Sequence, residues 1–186
     1  MPDETHVPIT LRCHSVQACP AVRSLTVAVR VLASGRLWLS YALDADLDRL
    51  RIPAEDTARR AHELWTHTCF EAFASASGEA SYCELNVAPS KAWALYRFSA
   101  PRQGMTVVQE ARAPRIAIRR TPEGLTLEAM VFWRDLITAE APSRLRLGLA
   151  AVLEDEGGRL SYWALRHPPG RPNFHHPESF TLELDL

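Results

Sequence analysis

Alternation between apolar and polar residues is the dominant pattern of this chain, and it is clearest between residues 64 and 98. In the run YCELNV, the side chains of Tyr82, Glu84 and Asn86 alternate with small and aliphatic ones. The run CFEAFAS before it and the run AWALYRF after it alternate too, and they contain Glu71 and Arg97. Because successive side chains of a strand point to opposite faces, this spacing predicts three short β-strands. We expect the two glutamates, Asn86 and Arg97 to converge on one sheet surface.

The same alternation extends along the chain and predicts an almost entirely β structure. Turn segments such as Ser77-Gly78 and Pro122-Glu123-Gly124 separate the runs, as in β-hairpins. Short strands at this spacing favour an all-β, two-sheet antiparallel β-sandwich of about ten strands. The predicted strands are Ile9–His14, Leu25–Ala33, Arg36–Ala45, His67–Ser75, Ser81–Ala88, Lys91–Ser99, Met105–Ala111, Arg115–Thr121, Gly124–Phe132, Leu145–Leu153, Arg159–Leu165 and Ser179–Leu184. Two short helical segments are predicted, over Ala54–Glu63, after Pro53, and over Trp133–Ala139.

Composition narrows the class of protein. The chain has 186 residues, of which 47% are hydrophobic and 23% charged, as in one globular domain over residues 1–186. The net charge of −1 gives no overall field for a nucleic acid or an anionic membrane, so neither is an expected partner. No apolar run approaches the roughly 20 residues that span a bilayer. The N-terminal run MPDETHVPIT lacks the basic start and apolar core of a secretory signal, which predicts a cytoplasmic protein.

The cysteines and histidines indicate neither a disulfide framework nor a metal site. Cys13, Cys19, Cys69 and Cys83 are few and scattered, and we expect them to be reduced and mostly buried. The adjacent pair His175-His176 would point to opposite sides of an extended segment, so the two rings are poorly placed to share one ion.

Two irregular segments are candidates for the walls of a site, because loops often carry function. Residues 46–64 are rich in arginine, and residues 166–178 (RHPPGRPNFHHPE) contain four prolines that stiffen an extended loop. A ligand site should be concave and roofed by one of these loops. A surface for a protein partner should be flatter and ringed by apolar residues.

Three runs of the sequence, LWTHTCFEAF, YCELNVAPSKAWALYRF and NFHHPESFTLEL, resemble bacterial DOMON-like proteins. These proteins are related to the family-nine carbohydrate-binding modules and to DOMON domains that bind sugar or haem. The resemblance implies a β-sandwich that binds its ligand on one concave sheet. It also implies roles for Trp65, which matches the tryptophan of the first motif, and for Glu71, which matches its acid.

In the second motif the matching polar positions are Tyr82, Glu84 and Asn86, and Arg97 occupies a plausible basic position of the sheet face. The chain departs from the motif at Thr68, where an acidic residue is expected. A sugar ring has apolar C–H faces and a rim of hydroxyls, which aromatic rings, carboxylates, amides and guanidinium groups can bind. The sequence therefore predicts a non-catalytic sugar-binding module. Its predicted ligand-binding residues are Trp65, Glu71, Tyr82, Glu84, Asn86, Arg97 and His175.

Three alternatives remain open on sequence grounds. A haem site would need axial donors, and the candidates are Met105, Met130, His67, His175 and His176. A protein-interaction module would use the polar sheet face and the proline-rich loop. A glycosidase could use Glu71 and Glu84 as its carboxyl pair, although the sequence contains none of the common catalytic motifs.

Overall fold

The computed structural model describes residues 8–137, 139 and 142–186, and in this part the chain is built from β-strands and short 3₁₀ helices. The strands are β1 (Ile9–Thr10), β2 (Arg12–Cys13), β3 (Val22–Leu32), β4 (Arg36–Ala45), β5 (Arg59–Arg60), β6 (Cys69–Ala76), β7 (Tyr82–Val87), β8 (Ala92–Phe98), β9 (Thr106–Val107), β10 (Arg115–Thr121), β11 (Gly124–Phe132), β12 (Arg144–Glu154), β13 (Leu160–Ala164) and β14 (Leu182–Asp185). The 3₁₀ helices cover Leu47–Arg49, Leu64–Thr66, Trp133–Leu136 and Pro177–Ser179. Within the described ranges, no helix has the length and apolar character needed to cross a membrane.

The strands form two sheets, which confirms the predicted antiparallel β-sandwich. The smaller sheet has five strands in the order β1-β3-β4-β11-β10. The larger has nine: β2-β13-β12-β6-β7-β8-β5 in a row, with β14 also paired to β12 and β9 to β8. The short contact between β5 and β8 is parallel, and the other described strand pairs are antiparallel.

The hydrophobic core lies between the two sheets. Alternate residues of β3, β4 and β11 are buried on the inner face of the five-stranded sheet, and Val27, Leu39 and Leu127 are examples. They belong to one cluster with Phe70 and inward residues of β7, β8 and β12. The buried hydroxyl of Tyr41 donates a hydrogen bond across this core to the backbone oxygen of residue 71 (2.7 Å). This bond ties the centre of β6 to the opposite sheet.

The central strands of the nine-stranded sheet are covered on both faces. Every residue of β6 and β7 is buried, including those that point away from the core. The outer cover includes Trp65, which contacts Tyr96, and Phe174 and Phe180, which both contact Phe73. The segment after β13 therefore folds back over the outer face of the large sheet.

Three of the predicted secondary-structure elements differ from those in the structure. The helix predicted over Ala54–Glu63 is wrong: no regular structure covers residues 51–58, and Arg59–Arg60 is a strand. Tertiary contacts explain this, because Arg60 donates to the backbone oxygen of Val108 (3.0 Å) and stacks on Trp93.

The strand predicted over Ile9–His14 divides between the two sheets as β1 and β2. The second helical prediction, Trp133–Ala139, is shortened to Trp133–Leu136, and its residue 138 lies outside the described part of the chain.

Candidate functional site

The register of β6, β7 and β8 brings polar residues together on the outer face of the nine-stranded sheet. Glu71 pairs with Asn86, while Glu84 pairs with Phe73 on one side and with Tyr96 on the other. The two glutamates are therefore diagonal neighbours on adjacent strands. The side-chain amide of Asn86 donates to Oε1 of Glu84 (2.8 Å) and holds that carboxyl group in place.

These residues lie at a cavity of about 540 Å³. Its lining residues are Trp65, Thr66, Glu71, Glu84, Phe98, Arg102, Met105, Val152, Leu160, Tyr162, Pro172, Phe174 and His175. A volume of this size falls within the range of about 300–1,000 Å³ that is usual for small-molecule sites. The site is concave and is bordered by the proline-rich segment 166–178, as a ligand site was expected to be.

Burial changes the protonation of the two glutamates. Glu71 is only 2% exposed and Glu84 only 4%. Burial raises the pKa of Glu71 well above its usual value, and the neighbouring charge of Glu84 raises it further. Burial also raises the pKa of Glu84 to about 7, against the opposing effects of the Asn86 amide and the charge of Arg102. Near neutral pH the pair is therefore only partly ionised.

Tyr82 and His175 form a hydrogen-bonded pair beside Glu84. The Tyr82 hydroxyl lies 2.8 Å from Nδ1 of His175 and accepts a hydrogen bond from the backbone N–H of Arg102 (3.2 Å). Burial raises the pKa of Tyr82 to about 12. Burial, and to a smaller extent the charge of Arg102, lowers the pKa of His175 to about 4. Both rings are therefore neutral at pH 7, and Nε2 of His175 lies 3.8 Å from Oε2 of Glu84.

Aromatic rings form much of the apolar surface of the site. Trp65 is half-buried and meets Tyr96 edge-on, with a centroid distance of 5.5 Å. Tyr82 stacks on Phe98 with a centroid distance of 4.9 Å and an interplanar angle of 7°. Phe174 meets Tyr162 at 6.2 Å. The cavity thus combines carboxyl groups with apolar aromatic surface.

Arg97 does not belong to this cluster, and the prediction that it shares the face of Glu84 is wrong. Arg97 pairs with Cys83 in the sheet, and Cys83 points into the core between the sheets. Its guanidinium lies 3.7 Å from the carboxylate of Glu110 instead. Leu95, two residues earlier, shares the inward face with Arg97 and is a core residue, which is the sequence signal that places the arginine there.

Several residues of the cavity were not predicted from the sequence. Arg102 follows β8 and borders the site, where its Nε donates to Oδ1 of Asn173 (3.2 Å). Phe174 lies in a segment that is predicted to be a loop, and Tyr162 lies in a predicted strand. Neither prediction marks these residues as part of a site. The positive φ of Arg102 (58°) is a local feature that only the structure reveals.

The candidate haem ligands are scattered, apart from two. Met105 and His175 line the same cavity, whereas Met130 lies in β11 of the other sheet. His67 lies 2.7 Å from a carboxylate oxygen of Glu154, and Nδ1 of His176 accepts from the backbone of residue 178 (3.2 Å). The two nitrogens of His175 face Tyr82 and Glu84, so this ring does not present a free donor to an iron. The residues present therefore do not fit a histidine–methionine haem site.

The described residues hold no group of three or more His, Cys, Asp or Glu side chains that could bind a metal ion. The four cysteines are free thiols, and Cys19, Cys69 and Cys83 are buried.

A second cavity, of about 610 Å³, lies beside residues 62–68 and contains another buried carboxylate. Here Oε1 of Glu154 accepts from Arg51 (2.8 Å), and Oε2 lies 2.7 Å from Nδ1 of His67. Both oxygens of Glu154 are thus paired by the protein. Glu71 differs, because its Oε1 is buried and has no hydrogen-bond partner in the described part of the chain.

Comparison with known proteins assigns the fold. No protein-family model matches the sequence, and no curated protein matches it. The chain is similar to a family-nine carbohydrate-binding module from Caldicellulosiruptor kristjanssonii in complex with cellotriose, with 11% identity and a TM-score of 0.54, over 97% of this chain and 82% of that one. A family-nine module from the same organism in complex with glucose has the same identity and TM-score, over 100% and 87% of the two chains.

A candidate carbohydrate-binding protein from Bacteroides uniformis is also similar, with 15% identity and a TM-score of 0.60 over 96% of this chain and 84% of that one. Identities this low establish a shared fold. The chain therefore has the β-sandwich fold that is found in family-nine carbohydrate-binding modules.

Proposed function

We propose that this protein is a non-catalytic module that binds a sugar or glycoconjugate in the cavity on the outer face of its nine-stranded sheet. One observation carries the proposal: carboxyl groups with unused hydrogen-bonding capacity lie among aromatic rings in a cavity of small-molecule size. We also propose a cytoplasmic location, where the ligand would be a sugar metabolite or a fragment of a larger glycan.

The chemistry of the cavity suits a sugar ring. The rings of Trp65, Tyr162 and Phe174 offer apolar surface to the C–H faces of a pyranose. Glu71 and Glu84 offer oxygens to its hydroxyls. Each such hydrogen bond contributes about 0.5–1.5 kcal/mol, or about 1.5–3 kcal/mol where the carboxyl group is ionised. The partial exposure of Trp65 leaves this ring accessible to a ligand.

The fold neighbours support the same class of ligand. Two of them are family-nine modules whose structures hold cellotriose and glucose. The alternative of a protein-interaction module has less support, because the polar face of the sheet forms a concave cavity instead of a flat apolar surface.

Calorimetric titration with mono- and disaccharides tests the proposal. We expect saturable binding of at least one sugar, and we expect Trp65→Ala to weaken it at least about tenfold through loss of the aromatic contact. The matched control is Trp38→Ala, because Trp38 lies in β4 of the other sheet, where Arg30 stacks on it. Equal weakening by both variants, or no binding by a panel that includes cell-wall fragments, would contradict the proposal.

A further inference from the structure

The cavity holds two carboxyl groups that no lysine or arginine pairs with. In the described part of the chain, neither Glu71 nor Glu84 forms a salt bridge to such a residue. The imidazole of His175 lies 3.8 Å from Glu84, and it is neutral at pH 7. The guanidinium of Arg102 donates to Asn173 instead. The two carboxyl groups therefore have no salt-bridge partner among the described residues, although the charge of Arg102 at the border of the cavity acts on Glu84.

Two buried oxygens beside this pair have no hydrogen-bond donor. Oε1 of Glu71 and Oδ1 of Asn86 are buried acceptors that have no partner among the described residues. A buried polar atom without a partner is costly, so the oxygen of Glu71, whose side chain lines the cavity, indicates a donor that a ligand supplies. An ammonium group fits this need, because it offers three donors, has no acceptor and carries a positive charge.

The aromatic residues that line the cavity also favour an ammonium group. Trp65, Tyr162 and Phe174 line the cavity that contains both carboxyl groups. A cation over the face of an aromatic ring gains about 0.5–2 kcal/mol, and tryptophan is the most favourable ring. Carboxyl groups without a salt-bridge partner, beside aromatic walls, therefore favour an ammonium ligand over a neutral one.

We propose that the ligand of this cavity carries a protonated amine, as an amino sugar does, and that its ammonium group binds between Glu71 and Glu84. The inference rests on the proposed function and specifies the class of sugar. The ammonium group would supply the donor that Glu71 lacks and would compensate the charge of the glutamate pair.

Binding of such a ligand should release a proton. Without a ligand the pair is partly protonated. Among the groups near the pair, Cys69, Tyr82, Tyr96 and His175 are neutral at pH 7, and the guanidinium of Arg102 is positively charged. The ammonium keeps its own protons and stabilises both carboxylates, so a carboxyl proton leaves to the buffer. Calorimetry in two buffers of different ionisation enthalpy measures this release.

The test compares four probes by calorimetric titration of the full chain at pH 6.5: D-glucosamine, N-acetyl-D-glucosamine, D-glucose and ethanolamine, a primary ammonium without a sugar ring. We expect glucosamine to bind at least about tenfold more tightly than glucose and N-acetylglucosamine, with proton release. Equal affinity for these three sugars would overturn the ammonium inference and leave the proposed sugar function intact. Binding of ethanolamine without any sugar would support the ammonium site and overturn the sugar function. Binding of none would overturn both.

Conservative variants test whether the preference for glucosamine depends on Glu71 and Glu84. Glu71→Gln should abolish the glucosamine preference, and Glu84→Gln, as an independent second variant, should reduce it at least about fivefold. The matched control is Glu110→Gln, because the Glu110 side chain is 71% exposed and lies at Arg97, on the other face of the sheet. A preference that survives in both site variants would overturn the inference.

Discussion

At the scale of single residues, the protein treats its buried carboxyl groups in two ways. Both oxygens of Glu154 are paired, one with Arg51 and one with His67. Glu71 has a buried oxygen without a partner, and Glu84 is bonded only to Asn86 at its Oε1. Unpaired buried carboxyl groups cost stability, and such groups are characteristic of functional sites. This difference favours the cavity at Glu71 and Glu84, over the one at Glu154, as the functional site.

The protonation of Glu84 should make the free energy of unfolding depend on pH. Because the pKa of Glu84 rises from 4.5 to about 7 on folding, the folded state binds more protons than the unfolded state between these values. The free energy of unfolding therefore falls by about 3 kcal/mol as pH rises through this interval. Glu84→Gln removes this loss, so the variant should gain stability relative to the wild type between pH 4.5 and pH 8. Urea denaturation of both proteins at several pH values measures the difference.

His175 acts in the opposite direction and supplies the control. Its pKa falls from 6.5 to about 4 on folding, so its contribution to stability is lost as pH falls through this range. The two effects offset each other in the wild type between about pH 4.5 and 6.5, which is why the comparison uses variants. His175→Gln should lose stability relative to the wild type at pH 7 and recover it at pH 4. Parallel curves for all three proteins would contradict the assigned protonation states.

At the scale of elements, the turn into β11 depends on a close backbone approach. A Cβ atom at Gly124 would lie 1.9 Å from the backbone oxygen of Leu43 in the neighbouring strand β4. Gly124→Ala should therefore force these strands apart and lower the free energy of unfolding by about 3 kcal/mol, as severe overpacking does. Urea denaturation of the variant and the wild type measures this loss.

Gly78→Ala is the control for this prediction. Gly78 has no atom within 4 Å of its would-be Cβ, but its φ is +87°. This substitution should cost only the strain of a left-handed backbone, about 1–2 kcal/mol. A loss at Gly124 no larger than the loss at Gly78 would show that β11 and β4 can separate without penalty.

The proline-rich segment behaves as a cover that is distinct from the core. Phe174 anchors it on Phe73 and Tyr162, outside the cluster between the sheets. Phe174→Ala should weaken sugar binding at least about tenfold while costing about 2 kcal/mol of stability, since it removes one wall of the cavity. Phe70→Ala, in the inter-sheet core, should cost about 3–5 kcal/mol. Equal costs for the two variants would contradict the distinction between the cover and the core.

At the scale of the whole molecule, one cluster of buried residues joins the two sheets. It contains residues of the five-stranded sheet, such as Leu39, and of the nine-stranded sheet, such as Leu149. We therefore expect a single cooperative unfolding transition, with tryptophan fluorescence and far-ultraviolet circular dichroism giving coincident urea curves. Two separated transitions would contradict the prediction that residues 1–186 form one domain.

The outer faces of the two sheets differ. The five-stranded sheet leaves Trp38 half-buried under Arg30, whereas the outer face of β6 and β7 is fully buried under the loops. The asymmetry gives the larger sheet a cavity with a buried floor. In such a place a few polar groups can orient a ligand.

Much of the strand content follows from local sequence. The strands Arg36–Ala45, Arg115–Thr121 and Gly124–Phe132 have the bounds that alternation and turn residues predict. The placement of Glu71 and Glu84 on one face also follows from alternation within neighbouring strands. Strand periodicity is a property of the chain itself, because the two faces of a strand differ from residue to residue.

Only the tertiary structure decided which face is inside and what covers the other. Alternation places Arg97 on the same face as Leu95, and the pairing with Cys83 identifies that face as the inner one. Arg60 was predicted within a helix, but its contacts with Trp93 and Val108 hold it in a strand. The fold-back that places Phe174 and His175 over Glu84 joins residues about ninety positions apart. The alternation within a strand repeats every two residues and carries no information about such distant partners. The sequence therefore predicts the strands, whereas the tertiary fold brings the residues of the site together.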